Sequence, residues 1–156
     1  MSKPKRYWLM KSEAECYSID DLARDKVTPW EGVRNFQARN FMKEMSVYDV
    51  VLFYHSNLKP SGVVGIGEVV TPAHTDASAM RKGDEHFDPR STREKPIWEC
   101  VDVAFVRKLP RLVGLDEIKL HPKLRSMEVA RRGSRLSISE VTREQCDTIE
   151  ALANRT

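Results

Sequence analysis

The segment Trp30-Glu31-Gly32-Val33-Arg34-Asn35-Phe36-Gln37-Ala38-Arg39-Asn40 sets a tryptophan, a glycine and five polar recognition side chains into eleven residues. A plain surface helix would turn polar residues outward and aliphatic ones inward at helical spacing. Here Trp30, Val33, Arg34, Asn35, Gln37 and Asn40 crowd a turn-into-helix junction instead. Such a junction also presents unpaired backbone N–H groups and the positive end of a helix dipole. Planar aromatic faces, amide forks and guanidinium groups are the chemistry that holds a nucleobase and its phosphates. The segment reads as a recognition site for a base.

Further candidates lie elsewhere in the chain. Lys11, Ser12 and Glu13 follow a first strand directly, where side chains and backbone N–H groups reach a ligand edge; they also suit an ordinary turn. The Ser12 hydroxyl could pair with a base amide or carbonyl. In Tyr54-His55-Ser56-Asn57, alternation puts Tyr54 and Ser56 on one face and His55 and Asn57 on the other. That argues against an adjacent Ser–His nucleophile. It leaves either pair for a pocket wall, or His55 as a satisfied rim histidine. Glu68, in an apolar strand, is an acceptor for an exocyclic amino group or an outward-facing residue. Lys119, His121, Lys123, Arg125, Arg131, Arg132 and Arg135 fall within 17 residues. They form a phosphate-contacting face or a solvated surface; phosphate contacts there would be sequence-independent and weakened by salt. Arg132, Ser134 and Arg135 flank Gly133 in a turn that could close the pocket.

Several chemistries are not expected. Four histidines and three cysteines show no CxxC, no HxxxH and no carboxylate-flanked cluster, so no metal site or other cofactor is expected from local spacing. The glycines at 62, 65 and 67 lie inside a strand in the wrong order for a dinucleotide fingerprint, and no P-loop lysine follows. Acid pairs such as Asp20-Asp21 and Asp116-Glu117 sit at helix starts, where dipole and capping effects account for them. No catalytic set stands out, and the expectation is a non-enzyme.

The elements that must position these residues follow from pattern and punctuation. Residues 6–10 read as a strand, and Ser18 with Asp21 at N3 opens a short helix to about Arg24. Pro29 ends that section. Asn35 caps a helix whose Phe36, Phe41, Met42 and Met45 face inward. Strands follow at 49–55 and 63–70, then a long polar loop from Pro72 to Pro96 with a helical turn. Another strand spans 97–106, with short helices at 115–120 and 123–127 and a strand at 136–139. Thr142 with Gln145 is a capping box for the helix 143–153. Strands with a few short helices and no βαβ alternation specify an α+β barrel.

At 156 residues and 40% apolar content the chain suits one domain, residues 1–156, with a core that folds without staples. Its 26 basic and 23 acidic residues give a net charge of +3, too mild to announce a polyanion partner without a local basic face. An odd cysteine count at wide spacing suits buried thiols in a reducing cytoplasm. The basic start lacks the apolar run of a secretory signal, and no stretch approaches the roughly 20 apolar residues of a membrane span. A cytoplasmic monomer is expected.

Taken in order, Tyr7-Trp8-Leu9-Met10-Lys11-Ser12-Glu13, the Trp30 segment, Leu52-Phe53-Tyr54-His55-Ser56-Asn57, Val63-Val64-Gly65-Ile66-Gly67-Glu68-Val69-Val70, Pro96-Ile97-Trp98-Glu99-Cys100-Val101-Asp102-Val103 and Arg132-Gly133-Ser134-Arg135-Leu136-Ser137 resemble the EVE-domain proteins over roughly residues 6–150. The resemblance implies a PUA-like fold, a small β-barrel flanked by short helices, related to the YTH domains that read methylated adenine in RNA. It also implies an aromatic cage. Trp30 and Trp98 fall where the related domains place cage tryptophans, although composition alone would put both indoles in the core. Aromatic faces replace the stacking neighbours of a flipped-out base at about 1–3 kcal/mol per base. Trp8, between apolar neighbours in a strand, is core. Ala14 stands where the family commonly has proline, and Tyr48 where glycine often precedes the aspartate. The implied function is non-catalytic binding of DNA or RNA carrying a methylated or oxidised base. The alternatives are an enzyme or enzyme partner acting on modified nucleotides, and a small-molecule sensor.

Overall fold

Apolar residues in β1 (Tyr7–Glu13) and β3 (Val50–Ser56) alternate between two cores, and this decides the architecture. In the computed structural model, which describes residues 4–155, Trp8, Met10, Val51 and Phe53 enter one core while Leu9, Leu52 and Tyr54 enter the other. A strand covered on both faces reads as a continuous apolar run. β2 (Val27–Pro29), β4 (Gly62–Thr75), β5 (Glu99–Gly114) and β6 (Ile138–Val141) complete a six-stranded mixed sheet in the order β2-β5-β4-β3-β1-β6. Among the described residues only the β1–β3 pair is parallel; it needs a crossover, supplied by α1 (Ile19–Asp25), β2 and α2 (Phe36–Glu44). The sheet does not close by hydrogen bonds, because β2 and β6 remain its edges, so the expected barrel is an open one.

One core is covered by α1 and α2, the other by α3 (Leu115–Leu120) and α4 (Arg143–Ala153). Gly65 allows α1 to come close: a Cβ there would run into the Ile19 side chain. The helix starts follow their local chemistry. Ser18 and Asp21 form a capping box on α1, Thr142 and Gln145 form one on α4, and the Asn35 side chain accepts from Ala38 N–H at 2.9 Å. Trp8 is fully buried, with its indole N–H donating to Asp49 at 3.0 Å.

Several expectations are revised. β1 extends through Glu13, so Lys11, Ser12 and Glu13 belong to the strand, paired with Tyr54, His55 and Ser56 of β3. β4 runs on to Thr75, paired opposite Glu99, while β5 starts at Glu99 rather than 97 and runs on to Gly114, paired opposite Gly62. Residues 123–127 form turns rather than a helix, and a short 3-10 turn follows at Glu128–Ala130. The anticipated turn in the long loop is the 3-10 segment Ala77–Met80. Phe36 is 54% exposed, so it does not join the inner face of α2, and Cys16 is exposed while Cys100 and Cys146 are buried. The first three residues of the basic start lie outside the described residues.

Candidate functional site

A cavity of about 740 Å³ opens where the end of β1 meets the β2–α2 connection and the loop 84–86. Its volume falls within the range of small-molecule and cofactor pockets. Of the residues singled out from sequence, Lys11, Ser12, Glu13, Trp30, Val33 and Arg34 line it. The rest of the wall comes from Gly32 of the same segment and from residues that sequence reasoning passed over, among them Tyr17, Thr28, Asp84, His86 and Ser137.

Trp30 is held from both sides. Its backbone N–H donates to the Val101 carbonyl at 2.8 Å, and its ring meets Phe53 edge-on at 5.3 Å between centroids. It remains 8% exposed, at the cavity wall. Gly32 next to it has φ +87°, and a Cβ there would lie 2.7 Å from the His86 imidazole. Glycine is therefore required twice, by backbone angle and by space. Asp76, fully buried, organises the rest of the turn. Its Oδ2 accepts from Gly32 N–H at 2.9 Å and from Arg34 Nη1 at 3.0 Å, and its Oδ1 accepts from Ser78 N–H at 2.9 Å and from the Ser78 hydroxyl. Burial pushes the Asp76 carboxyl upward, but the bonds from Ser78, Gly32 and Arg34 together outweigh it and hold the group below the usual aspartate range.

Arg34 spends all five guanidinium N–H donors inside the protein: on the His86 carbonyl from Nε and Nη2, on the Val33 carbonyl and Asp76 from Nη1, and on Ser78 Oγ from Nη2. It locks the loop 84–86 onto the turn and is not free to grip a phosphate. Asn35 is likewise engaged, as the cap of α2.

Lys11 has a different status. It is half-buried in the cavity wall, and no carboxylate lies within ion-pair distance of its ammonium among the described residues. Burial lowers its pKa, opposed only by the more distant Glu128. Ser12 donates to the Tyr17 carbonyl at 2.6 Å, leaving its oxygen to accept. Glu13 accepts from the Asn57 side chain at 2.8 Å. The cavity thus combines an indole at its wall, a cation with no ion-pair partner among the described residues and several acceptors.

The two-indole slot expected from sequence is not the arrangement seen. Trp98 is 2% exposed and does not line the cavity; its indole N–H donates to Asp88 at 2.8 Å. The Arg90 guanidinium and this indole hold the Asp88 carboxyl well below the usual range. Phe36 stacks on the Trp98 ring at 4.9 Å, and Arg34 and Arg39 lie over it at 5.4 and 5.9 Å. Gln37 and Asn40 point from the exposed face of α2, where Asn40 accepts from Arg39.

The Tyr54–Asn57 segment also stays out of the lining. Tyr54 is buried in the opposite core and donates to Ser61 Oγ at 3.1 Å. His55 Nε2 accepts the Ile19 N–H at 3.0 Å, and burial lowers its pKa, keeping it the neutral acceptor. Ser56 ends β3 opposite Glu13, and Asn57 follows at φ +58°. Arg132 and Arg135 are exposed and Ser134 partly buried. None of the three lines the cavity, although the chain from them leads to Ser137 on its rim. Loop partners 42 to 52 residues apart carry no local signal.

This chain belongs to the EVE-domain family, whose family model matches residues 6–152. Its α+β sheet is the PUA-like fold of that family. It is similar to thymocyte nuclear protein 1 of Rattus norvegicus, at 41% identity over 94% of this chain and 73% of the relative. Among solved structures, a protein from Leishmania major matches with a TM-score of 0.92 at 45% identity, covering 96% of this chain and 95% of that one. The human THYN1 protein, solved in complex with DNA containing 5-methylcytosine, matches with a TM-score of 0.92 at 36% identity over 97% of this chain and 99% of that one.

Proposed function

We propose that this EVE-domain protein is a non-catalytic reader that takes a modified base of DNA, of the 5-methylcytosine class, into the cavity beside Trp30. The observation that carries the reading is the cavity itself: an indole wall and the ammonium of Lys11, in a chain matching a relative solved with methylated DNA. A base in duplex DNA must leave the stack to enter a pocket, and an aromatic face restores part of the stacking it loses. Lys11 donates to a carbonyl or ring nitrogen of the base edge, and Ser12 accepts from it. The exposed Lys123, Arg125, Arg132 and Arg135 make the sequence-independent phosphate contacts. His55, Ser56, Glu68 and Asp102, the side chains an enzyme acting on modified nucleotides could use as nucleophile or general base, are outside the cavity lining, which favours binding without turnover.

Trp30→Ala tests this by fluorescence anisotropy on a methylated oligonucleotide, with Trp30→Phe as a control that keeps an aromatic face. Trp30→Ala loses about 1–3 kcal/mol, roughly 5- to 150-fold in affinity, and Trp30→Phe retains most of the binding. Equal affinity for a folded Trp30→Ala and the wild type would contradict the reading.

A further inference from the structure

We infer that His74, Cys100 and Asp102 form a binding site for one divalent cation of the zinc class, on the β4–β5 ribbon and outside the cavity lining. One donor atom from each lies within 4.8 Å of the others. His74 Nε2 is 2.8 Å from Asp102 Oδ1 and 3.8 Å from Cys100 Sγ. Imidazole, thiolate and carboxylate are the donor types zinc takes, at bond lengths of about 2.0–2.3 Å, which put neighbouring donors in a tetrahedron roughly 3.3–3.8 Å apart. The sulfur–nitrogen separation already meets that geometry; the nitrogen–oxygen pair opens by about half an ångström as its hydrogen bond gives way to the ion, and the sulfur–oxygen pair, within 4.8 Å, closes by up to about 1 Å through rotation of the partly exposed Asp102 side chain.

The strands build this constellation without any local motif. Cys100 and Asp102 are two apart on β5 and share a face. His74 pairs with Cys100 and Thr71 with Asp102, so β4 carries one residue more than β5 between these partners. Such a bulge re-aims a side chain, and here it brings the His74 ring to Asp102. Cys100 is buried while His74 and Asp102 are partly exposed, leaving a solvent side for ion entry and for a water as fourth ligand. A histidine–aspartate hydrogen bond alone has no use for the thiol.

The carboxylates of Asp76, Glu31 and Asp102 surround Cys100 with negative charge. The same negative field favours a cation. Binding replaces the thiol proton with the metal and releases one proton to solvent, so affinity falls as pH falls. The bound ion would pin β4 to β5 just before Asp76, the residue that organises the cavity turn.

The test is a Co2+ titration of the purified, chelator-treated full chain. One equivalent should produce thiolate-to-cobalt charge transfer and tetrahedral ligand-field bands, both removed by excess Zn2+. Cys100→Ser abolishes the charge-transfer band, while His74→Ala and Asp102→Asn lower cobalt affinity by at least the roughly 10- to 100-fold that losing even an outer-shell partner costs. Cys16→Ser and Cys146→Ser leave it unchanged. If Cys100→Ser fails to fold by circular dichroism, the His74 and Asp102 variants decide the matter. Absence of charge transfer in the wild type, or wild-type cobalt affinity in folded His74→Ala and Asp102→Asn, overturns the inference.

Discussion

Single side chains carry the distinctive features of this molecule. Tyr48 adopts φ +77° and is 61% exposed. Its N–H donates to Val69 at 2.8 Å, and the neighbouring Asp49 accepts from Arg6 N–H, Ser46 N–H and the Trp8 indole. The turn is therefore fixed by its neighbours, and tyrosine occupies it against its backbone preference. A left-handed residue with a Cβ costs about 1–2 kcal/mol, partly offset by the extra chain entropy glycine loses on folding, about 0.5–1 kcal/mol. Tyr48→Gly should raise stability by roughly 0.5 kcal/mol, or about 1–2 °C, in a thermal melt; a lower melting temperature would refute the strain argument. Lys11 makes a second prediction. Burial lowers its pKa in the free protein, and an acceptor on the ligand stabilises the ammonium and raises it again. Binding therefore takes up protons between the two values, and affinity falls as pH rises through that window. Lys11→Met should flatten this dependence in titrations across the alkaline range; an unchanged pH profile would remove Lys11 from the ligand contact.

At the scale of elements, the turn from Trp30 to Arg34 and the loop 84–86 form one unit closed by Asp76. Breaking a buried charged pair by removing one partner costs about 3–5 kcal/mol, and Arg34 retains some solvent access, so Asp76→Asn should cost about 3 kcal/mol. The cost should appear together in stability and in binding. The pH dependence has a definite sign. The folded carboxyl is held below its ordinary value, so its contribution is complete above the unfolded pKa of about 3.9 and is lost as pH falls through the folded value. Acid unfolding followed by tryptophan fluorescence should begin below about pH 4 in the wild type and lose that component in Asp76→Asn. An identical acid limb in both would remove Asp76 from the organising role.

Which elements were legible from sequence follows from the range of the interactions that make them. Helix caps such as Ser18 with Asp21, Asn35 and Thr142 with Gln145 are settled within four residues, and all three stand where expected. The segment 123–127 carried apolar spacing without a cap, and it became turns. Arg34 looked like a phosphate ligand because an arginine's partners cannot be read locally: Asp76 and His86 lie 42 and 52 residues away. Trp98 faces Phe36 rather than the cavity for the same reason, since the polar loop before it folds so that Asp88 takes its indole N–H.

Across the whole molecule, both faces of an open six-stranded sheet are covered, and the cavity sits at the end of β1, against β2 and the turn that follows it. The net charge of +3 is too small to drive tight association with DNA by itself. Affinity on the proposed reading divides into a salt-sensitive phosphate contribution from the exposed arginines and lysines and a salt-tolerant contribution from the base in the cavity. The two separate by ionic strength: raising salt should weaken methylated and unmethylated DNA alike while leaving their ratio nearly constant. The most direct test is an equilibrium competition between duplexes that differ only in one 5-methylcytosine, at two salt concentrations, with matched RNA as a further competitor. A preference for the methylated duplex that persists at the higher salt is expected. Equal competition by both duplexes, vanishing together as salt rises, would contradict it and leave only a basic surface.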